Sequence, residues 1–263
     1  HRPGNVHDSN GAKAFILQCV DEVRAATPRA VIENRLDSAF FSDEIVTALD
    51  ERRSEFTISV PFERFIELKS MIESRRRWRR LSKDVSYFEA SWKPQKWDKR
   101  FRFLFIRTRV KKQHKGPIQL DLFVPHEHGY EFKVIVTNKT VRAKTVVAFH
   151  EGRGSQEAIF AELKSHGHQD YVPTRTLCGN QTYLFAGLFA YNLTRELQMQ
   201  TTKVSRSTTA KRASLWAFER LDNIRKTIIQ RAGRMARPHG TLTLTTSANR
   251  WLQTRILHLL GAI

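Results

Sequence analysis

"AVIENRLDSAFFSDEIVTALDERRSEFTISV" runs from Ala30 to Val60. Its first part, "AVIENRLD", reads as a strand that ends at Asp37. Ser42 then caps "SDEIVTALDERR", a helix with acids in its first turn and arginines in its last, the polarity that the helix dipole favours. "EFTISV" is a second strand, closed by Pro61. Upstream, Ser9 and Asn10 can cap a helix whose apolar positions include Phe15, Ile16, Cys19, Val20 and Val23, and Pro28 stops it. Helix, strand, helix and strand in that order predict an α/β fold, a sheet layered with helices.

The character changes after Pro61. "FERFIELKSMIESRRRWRR" predicts a helix that turns strongly basic. Four strand-like runs follow: "VSYFEASW", "RFRFLFIRTRV", "IQLDLFV" and "YEFKVIVT". They form a β-rich block of about 75 residues by the run-and-breaker pattern. Phe101, Phe103 and Phe105 share one face of their strand, and Arg107 and Arg109 continue it. From Val141 the pattern is helical to about Gln200, with "YLFAGLFAYNL" (Tyr183–Leu193) read as a buried helix. "TTKVSRSTTAK" is a polar linker. "LWAFERLDNIRKTIIQRAGRMAR" predicts a basic amphipathic helix with Leu215, Phe218, Leu221, Ile224 and Ile228 at helical spacing. "TLTLTT" is a short strand and "ANRWLQTRILHLL" a last helix.

The 263 residues carry 45 basic and 26 acidic side chains, a formal charge of +19. That excess favours a polyanionic partner, nucleic acid first and an anionic membrane second. No apolar run reaches the roughly 20 residues that span a bilayer, so no membrane partner is expected. Two cysteines, Cys19 and Cys178, make neither a disulfide framework nor a zinc spacing, and suit a reducing cytosol. "HEH" and "SHGHQD" have no partner cluster for zinc. No signal peptide pattern is present, so a cytoplasmic location is expected. The opening "HRPGNVHDSNGAK" reads as the tail of a strand and a loop, which predicts a piece of a longer chain.

Three constellations carry chemistry. In "AFHEGRGSQEAIFAELKSHG" (Ala148–Gly167), a continuous helix would put Arg153, Glu157 and Lys164 in a stripe roughly 40° wide, with His150 within about 60° of them. Ile159 and Leu163 would lie opposite, with Phe160 at the flank. A carboxylate among cations can hold a metal against a phosphate, although ordinary surface pairs have the same spacing. Gly152 and Gly154 bracket Arg153 and allow a close approach. Asp37 sits at the carboxyl end of a strand, where α/β sheets place their chemistry, and an aspartate there also serves as a turn cap. "SRRRWRR" surrounds Trp78 with Arg75, Arg76, Arg77, Arg79 and Arg80. This suits phosphate contact with a stacking or wedge residue, or a solvated helix end.

The spacing H-x2-R-x3-E-x6-K at His150, Arg153, Glu157 and Lys164 resembles the Y-x2-R-x3-E-x6-K signature of DDE insertion-sequence transposases. "RPGNVHDSNGA", "LDSAFFSDEIVTAL", "SVPFERFIELK", "YFEASWKP", "RGSQEAIFAELK" and "NQTYLFAGLFAYNLTRELQM" resemble one bacterial branch of that group, from about Arg2 to Ala232. The resemblance implies a ribonuclease H-like core lacking its first strands and interrupted by a β-rich insertion domain. The expected divisions are 1–60 and 141–200 for the core, 61–140 for the insertion, and 201–263 for a basic helical C-terminal region. It implies Asp37 and Glu157 as the second and third catalytic acids and as metal ligands, with the first acid upstream of this chain. Arg153 and Lys164 would grip the DNA strand, and His150 stands where the signature has tyrosine. Two Mg²⁺ ions about 4 Å apart, or Mn²⁺ in their place, would serve cleavage and strand transfer on double-stranded DNA at transposon ends and target. A homodimer on DNA and a nucleoid-associated bacterial location are implied as well. Two other expectations stand beside this one: a catalytically inactive DNA-binding remnant, and a basic RNA-binding protein, for which no aromatic RNA-binding motif appears.

Overall fold

The computed structural model describes residues 10–110, 129–152, 154–201, 218–246 and 249–261. These divide into two compact units, one before Arg153 and one from Gly154 onward.

The first unit is built on a six-stranded sheet. Helix α1 (Ala12–Ala26) leads to β1 (Glu33–Leu36), α2 (Asp43–Glu51), β2 (Glu55–Val60) and α3 (Ile66–Glu73). Then come β3 (Arg79–Arg80), β4 (Val85–Trp92), β5 (Phe101–Arg109), β6 (Tyr130–Thr137) and α4 (Ala143–Glu151). The spatial order is β1-β2-β6-β5-β4-β3. Among the described residues, only β1 and β2 pair in parallel, and the other pairs of this sheet are antiparallel. The expected strand–helix–strand start is therefore present, with Ser42 Oγ accepting the Ile45 amide at the start of α2. Helix α1 begins after Gly11, whose φ of 72° is a left-handed conformation open to glycine, rather than at a side-chain cap from Asn10.

The alternation in β5 works on both faces. Phe101, Phe103 and Phe105 join Phe56, Ile58, Phe88, Trp92 and the buried sides of α2 and α3 in the larger core. Leu104 and Ile106 turn the other way and pack with Ile135 under Ala143, Val146 and Val147 of α4. Helices on both faces of one sheet make this a mixed α/β unit. On α1, Val20 is buried, whereas Phe15 and Val23 of the expected apolar stripe are exposed.

Residues 61–140, expected as a β-rich insertion, contribute strands to the same sheet. Strands β4, β5 and β6 hydrogen-bond into the sheet that starts at β1, because β6 pairs directly with β2 from Thr57↔Thr137 to Val60↔Val134. The run "IQLDLFV" lies outside the described residues. The basic helix expected to reach Arg80 ends at Glu73, and Arg79 and Arg80 pair as strand with Tyr87 and Ser86 of β4.

The second unit holds α5 (Gly154–Gly167), α6 (Leu177–Thr201), α7 (Leu221–Ile224), the hairpin of β7 (Gly233–Ala236) and β8 (Thr243–Thr246), and α8 (Arg250–Leu260). Its division from the first unit falls inside the expected 141–200 segment. Glu162 of α5 ties the unit together: it pairs with Arg195 of α6 and accepts the Leu221 amide. Arg195 in turn lies over the Tyr191 and Phe218 rings. Helix α6 is not buried as expected; Phe185, Phe189 and Leu193 are exposed along it. The basic helix predicted to run to Arg237 stops sooner, passing from α7 through a π-helical turn at Arg225–Ile229 into β7. Gly233 sits against the facing strand, where a Cβ would lie 3.1 Å from Leu244 and 3.2 Å from the Thr245 carbonyl. Leu215 lies outside the described residues. Among the described residues, no helix is long and apolar enough to cross a membrane.

Candidate functional site

Asp37 is the first residue past β1, in extended conformation. Its Oδ1 accepts the Ala39 amide at 3.0 Å and starts a 3₁₀ turn over Ser38–Phe40. The turn is held from below: Phe41, which follows it, packs against Phe65, Trp97 and Phe103 with ring centroids 5.0–6.4 Å apart. The capping role weighed from the sequence is thus present.

The last turn of α4 docks beside this strand end. His150 is 1 % exposed. Its Nδ1 lies 3.0 Å from Thr57 Oγ1 and its Nε2 2.9 Å from Ser59 Oγ, both on β2. Arg35 of β1 donates to the Phe149 carbonyl at 3.1 Å and lies 4.8 Å over the Phe149 ring. The parallel register pairs Arg35 with Thr57 and Leu36 with Ile58. Asp37 follows directly after the last of these pairs.

His150 therefore does not have the placement expected of a DNA contact. A buried imidazole with both nitrogens engaged is a tie between helix and sheet. The single stripe expected from His150 to Lys164 is also divided. Helix α4 ends at Glu151 with Gly152 in a turn, and α5 begins at Gly154. Gly152 does permit a close approach, though by a side chain. A Cβ there would lie 2.5 Å from Arg35 Nη1.

Arg153 lies outside the described residues. Glu157 is exposed in the first turn of α5, where the helix dipole favours an acid, and Lys164 is exposed near its other end. Leu163 is buried, but Ile159 and Phe160, expected to bury with it, are exposed. Asp37 belongs to the first unit and Glu157 to the second. Among the described residues, no group of three or more His, Cys, Asp or Glu side chains gathers in metal-binding fashion.

The arginine run lies in the first unit at the outer edge of the sheet. Arg75, Arg76, Arg77, Arg79 and Arg80 are exposed, and Trp78 is half-buried. Trp78 meets Phe88 edge-on at 4.8 Å and donates its indole N–H to the Arg75 carbonyl at 3.1 Å. The Arg107 guanidinium lies 4.5 Å over its ring and 4.6 Å over Tyr130. Trp78 is thus a packed anchor and not the free wedge or stacking residue expected. Nothing local in "SRRRWRR" marks this, because its partners come from β4, β5 and β6.

A family model described as transposase DDE domain group 1 matches residues 1–263. The chain belongs to the DDE transposase family. Enzymes of this family cleave and transfer DNA strands in transposition and typically use divalent metal, so DNA is the substrate class of this DDE domain. No curated protein matches the chain.

Proposed function

We propose that this DDE domain is the catalytic core of a bacterial insertion-sequence transposase, with a ribonuclease H-like centre, acting at the element's ends. Asp37 and Glu157 are its metal-holding acids. The observation that carries the proposal is the position of Asp37. It stands one residue past β1, the strand whose Arg35 reaches the Phe149 carbonyl of α4. Seven residues of chain separate His150 from Glu157, about 24 Å at full stretch. The proposal requires that this length of chain bring the second acid to the first.

The donor chemistry fits Mg²⁺ or Mn²⁺. Both candidate ligands are hard carboxylate oxygens, and Asp37 uses Oδ1 for the Ala39 amide. Divalent ions held there would activate water or a 3′-hydroxyl and stabilise the leaving oxygen. Arg153 and Lys164 would neutralise phosphate charge and set the strand in line for attack. The arginines of the 75–80 run and the basic segment 220–237 would hold the DNA backbone further out, and two copies would pair on two DNA ends.

The test incubates the full chain with an end-containing duplex and Mg²⁺. Nicking that disappears in both Asp37→Ala and Glu157→Ala supports the assignment; nicking that survives Glu157→Ala refutes it. DNA binding with no nicking would favour an inactive DNA-binding remnant.

A further inference from the structure

We infer that the arginine run divides its labour: Arg76, Arg77 and Arg79 contact duplex phosphates, while Trp78, Arg75 and Arg107 form the rigid base that presents them. The inference deepens the DNA-binding role proposed above and rests on it.

The base is built from three layers. Phe88 stacks on Phe105 at 4.3 Å with rings 5° from parallel, so β4 and β5 supply a fixed aromatic floor. Trp78 stands edge-on to that floor, and the Arg107 guanidinium is held between Trp78 and Tyr130. Arg75 closes the structure. Its guanidinium lies 4.8 Å over Phe88, its Nε donates to the Arg77 carbonyl at 3.0 Å, and its own carbonyl accepts from Trp78. A guanidinium used in this way has one of its donors committed to its own backbone and its plane held against a ring. Arg80 is partly committed also, donating Nε to the Ser82 carbonyl at 3.2 Å.

The other three differ. Arg76, Arg77 and Arg79 are exposed, and among the described residues none has a side-chain hydrogen bond or an ion-pair partner. Three unneutralised cations within four residues repel one another, an arrangement that a polyanion relieves. Even fully extended, at about 3.3 Å per residue, they would span no more than roughly 10 Å, against a charge every 3.4 Å along each DNA strand. Arginine suits phosphate because its planar fork can bond two oxygens at once. The backbone beneath is pinned by Trp78 on one side and by the Arg79↔Tyr87 pairing on the other, so little order remains to be lost on binding. Contacts of this kind read the phosphate backbone and carry no base sequence.

The experiment measures binding of the full chain to a random-sequence duplex over a range of salt concentrations, with thermal melting alongside. For R76A/R77A/R79A the slope of log K against log salt should fall by about 2 to 3, at roughly 0.9 per phosphate, with the melting midpoint unchanged. Trp78→Phe keeps the aromatic packing and should keep the slope. Trp78→Leu should lower the melting midpoint. An unchanged slope in the triple variant overturns the inference. So does a Trp78→Phe protein that melts normally but loses as much affinity as the triple variant, because Trp78 would then touch the DNA itself. Tighter binding to phosphatidylserine vesicles than to duplex, lost in the triple variant, would overturn the choice of partner. If the parent chain binds no duplex at any salt concentration, the proposed function fails along with it.

Discussion

His150 Nε2 lies 2.9 Å from Ser59 Oγ, and this contact joins the last turn of α4 to the middle of the sheet. With the contact to buried Thr57 on the other ring nitrogen, one buried side chain serves two hydroxyls, that of Ser59 being half-buried. His150→Ala leaves both hydroxyls without that partner and opens a cavity. The expected loss is about 2–4 kcal/mol in urea denaturation. His150→Tyr, which restores the residue of the resembled signature, should also destabilise, by about 1–3 kcal/mol, because the larger ring has no room. A tyrosine variant as stable as the parent would show that the site is not closed.

Lys139 answers a different problem. The register of β1 and β2 sets Glu33 directly beside Glu55, and like charges so placed repel. Lys139, 3 % exposed, pairs with both. Lys139→Met should cost about 3–5 kcal/mol, the penalty for leaving half-buried carboxylates without their cation. Adding Glu33→Gln and Glu55→Gln should recover much of that loss in the same denaturation assay. No recovery would mean that the lysine acts by packing alone.

Gly152 and Arg35 should be coupled. The glycine has an ordinary helical φ of −61°, so alanine is acceptable to its backbone; the guanidinium, 2.5 Å from the added Cβ, is the main obstacle, with the Phe149 carbonyl at 3.2 Å a lesser one. Gly152→Ala should push Arg35 off the Phe149 carbonyl and cost about 1–2 kcal/mol. In the Arg35→Ala background the same change should cost clearly less, the remainder coming from the Phe149 carbonyl. A double-mutant cycle measures the difference, and additive losses would contradict the contact.

Asp222 offers a pH test in the second unit. The hydrogen bond from Lys226 leads the influences that hold its carboxyl below the ordinary carboxylate range. A depressed folded-state value contributes stability above the unfolded-state value, and that contribution is lost as pH falls through the folded-state value. In Lys226→Met the Asp222 titration, followed by NMR, should move upward, and the acid-side loss of stability should begin at higher pH. The pair is exposed, so the change in stability should be small.

Some of this was legible in the sequence. The strand–helix–strand start, the Ser42 cap and the aromatic face of β5 follow from patterns that act over a few residues. The position of Asp37 at a strand end was legible for the same reason. What could not be read is set by partners far along the chain. His150 lies 93 and 91 residues from Thr57 and Ser59, so nothing beside it signals that it will be buried. Trp78 looks like a residue in a basic helix until β4 and β5 supply Phe88 and Arg107. The α4–α5 break escapes notice because helical spacing of the charged residues continues across the glycines. The second unit misled for a further reason. Helical period in "LWAFERLDNIRKTIIQRAGRMAR" competes with the pairing of β7 and β8, and the hairpin prevails from Gly233.

Among the described residues, the sheet ends at β3, which is two residues long, both arginine. An outermost strand exposes unpaired amides and carbonyls that can recruit another copy and begin fibre growth. Brevity and like charge block that route, since a second β3 laid alongside would bring four guanidinium groups together. The edge proposed to meet a polyanion is thereby protected from sticking to itself.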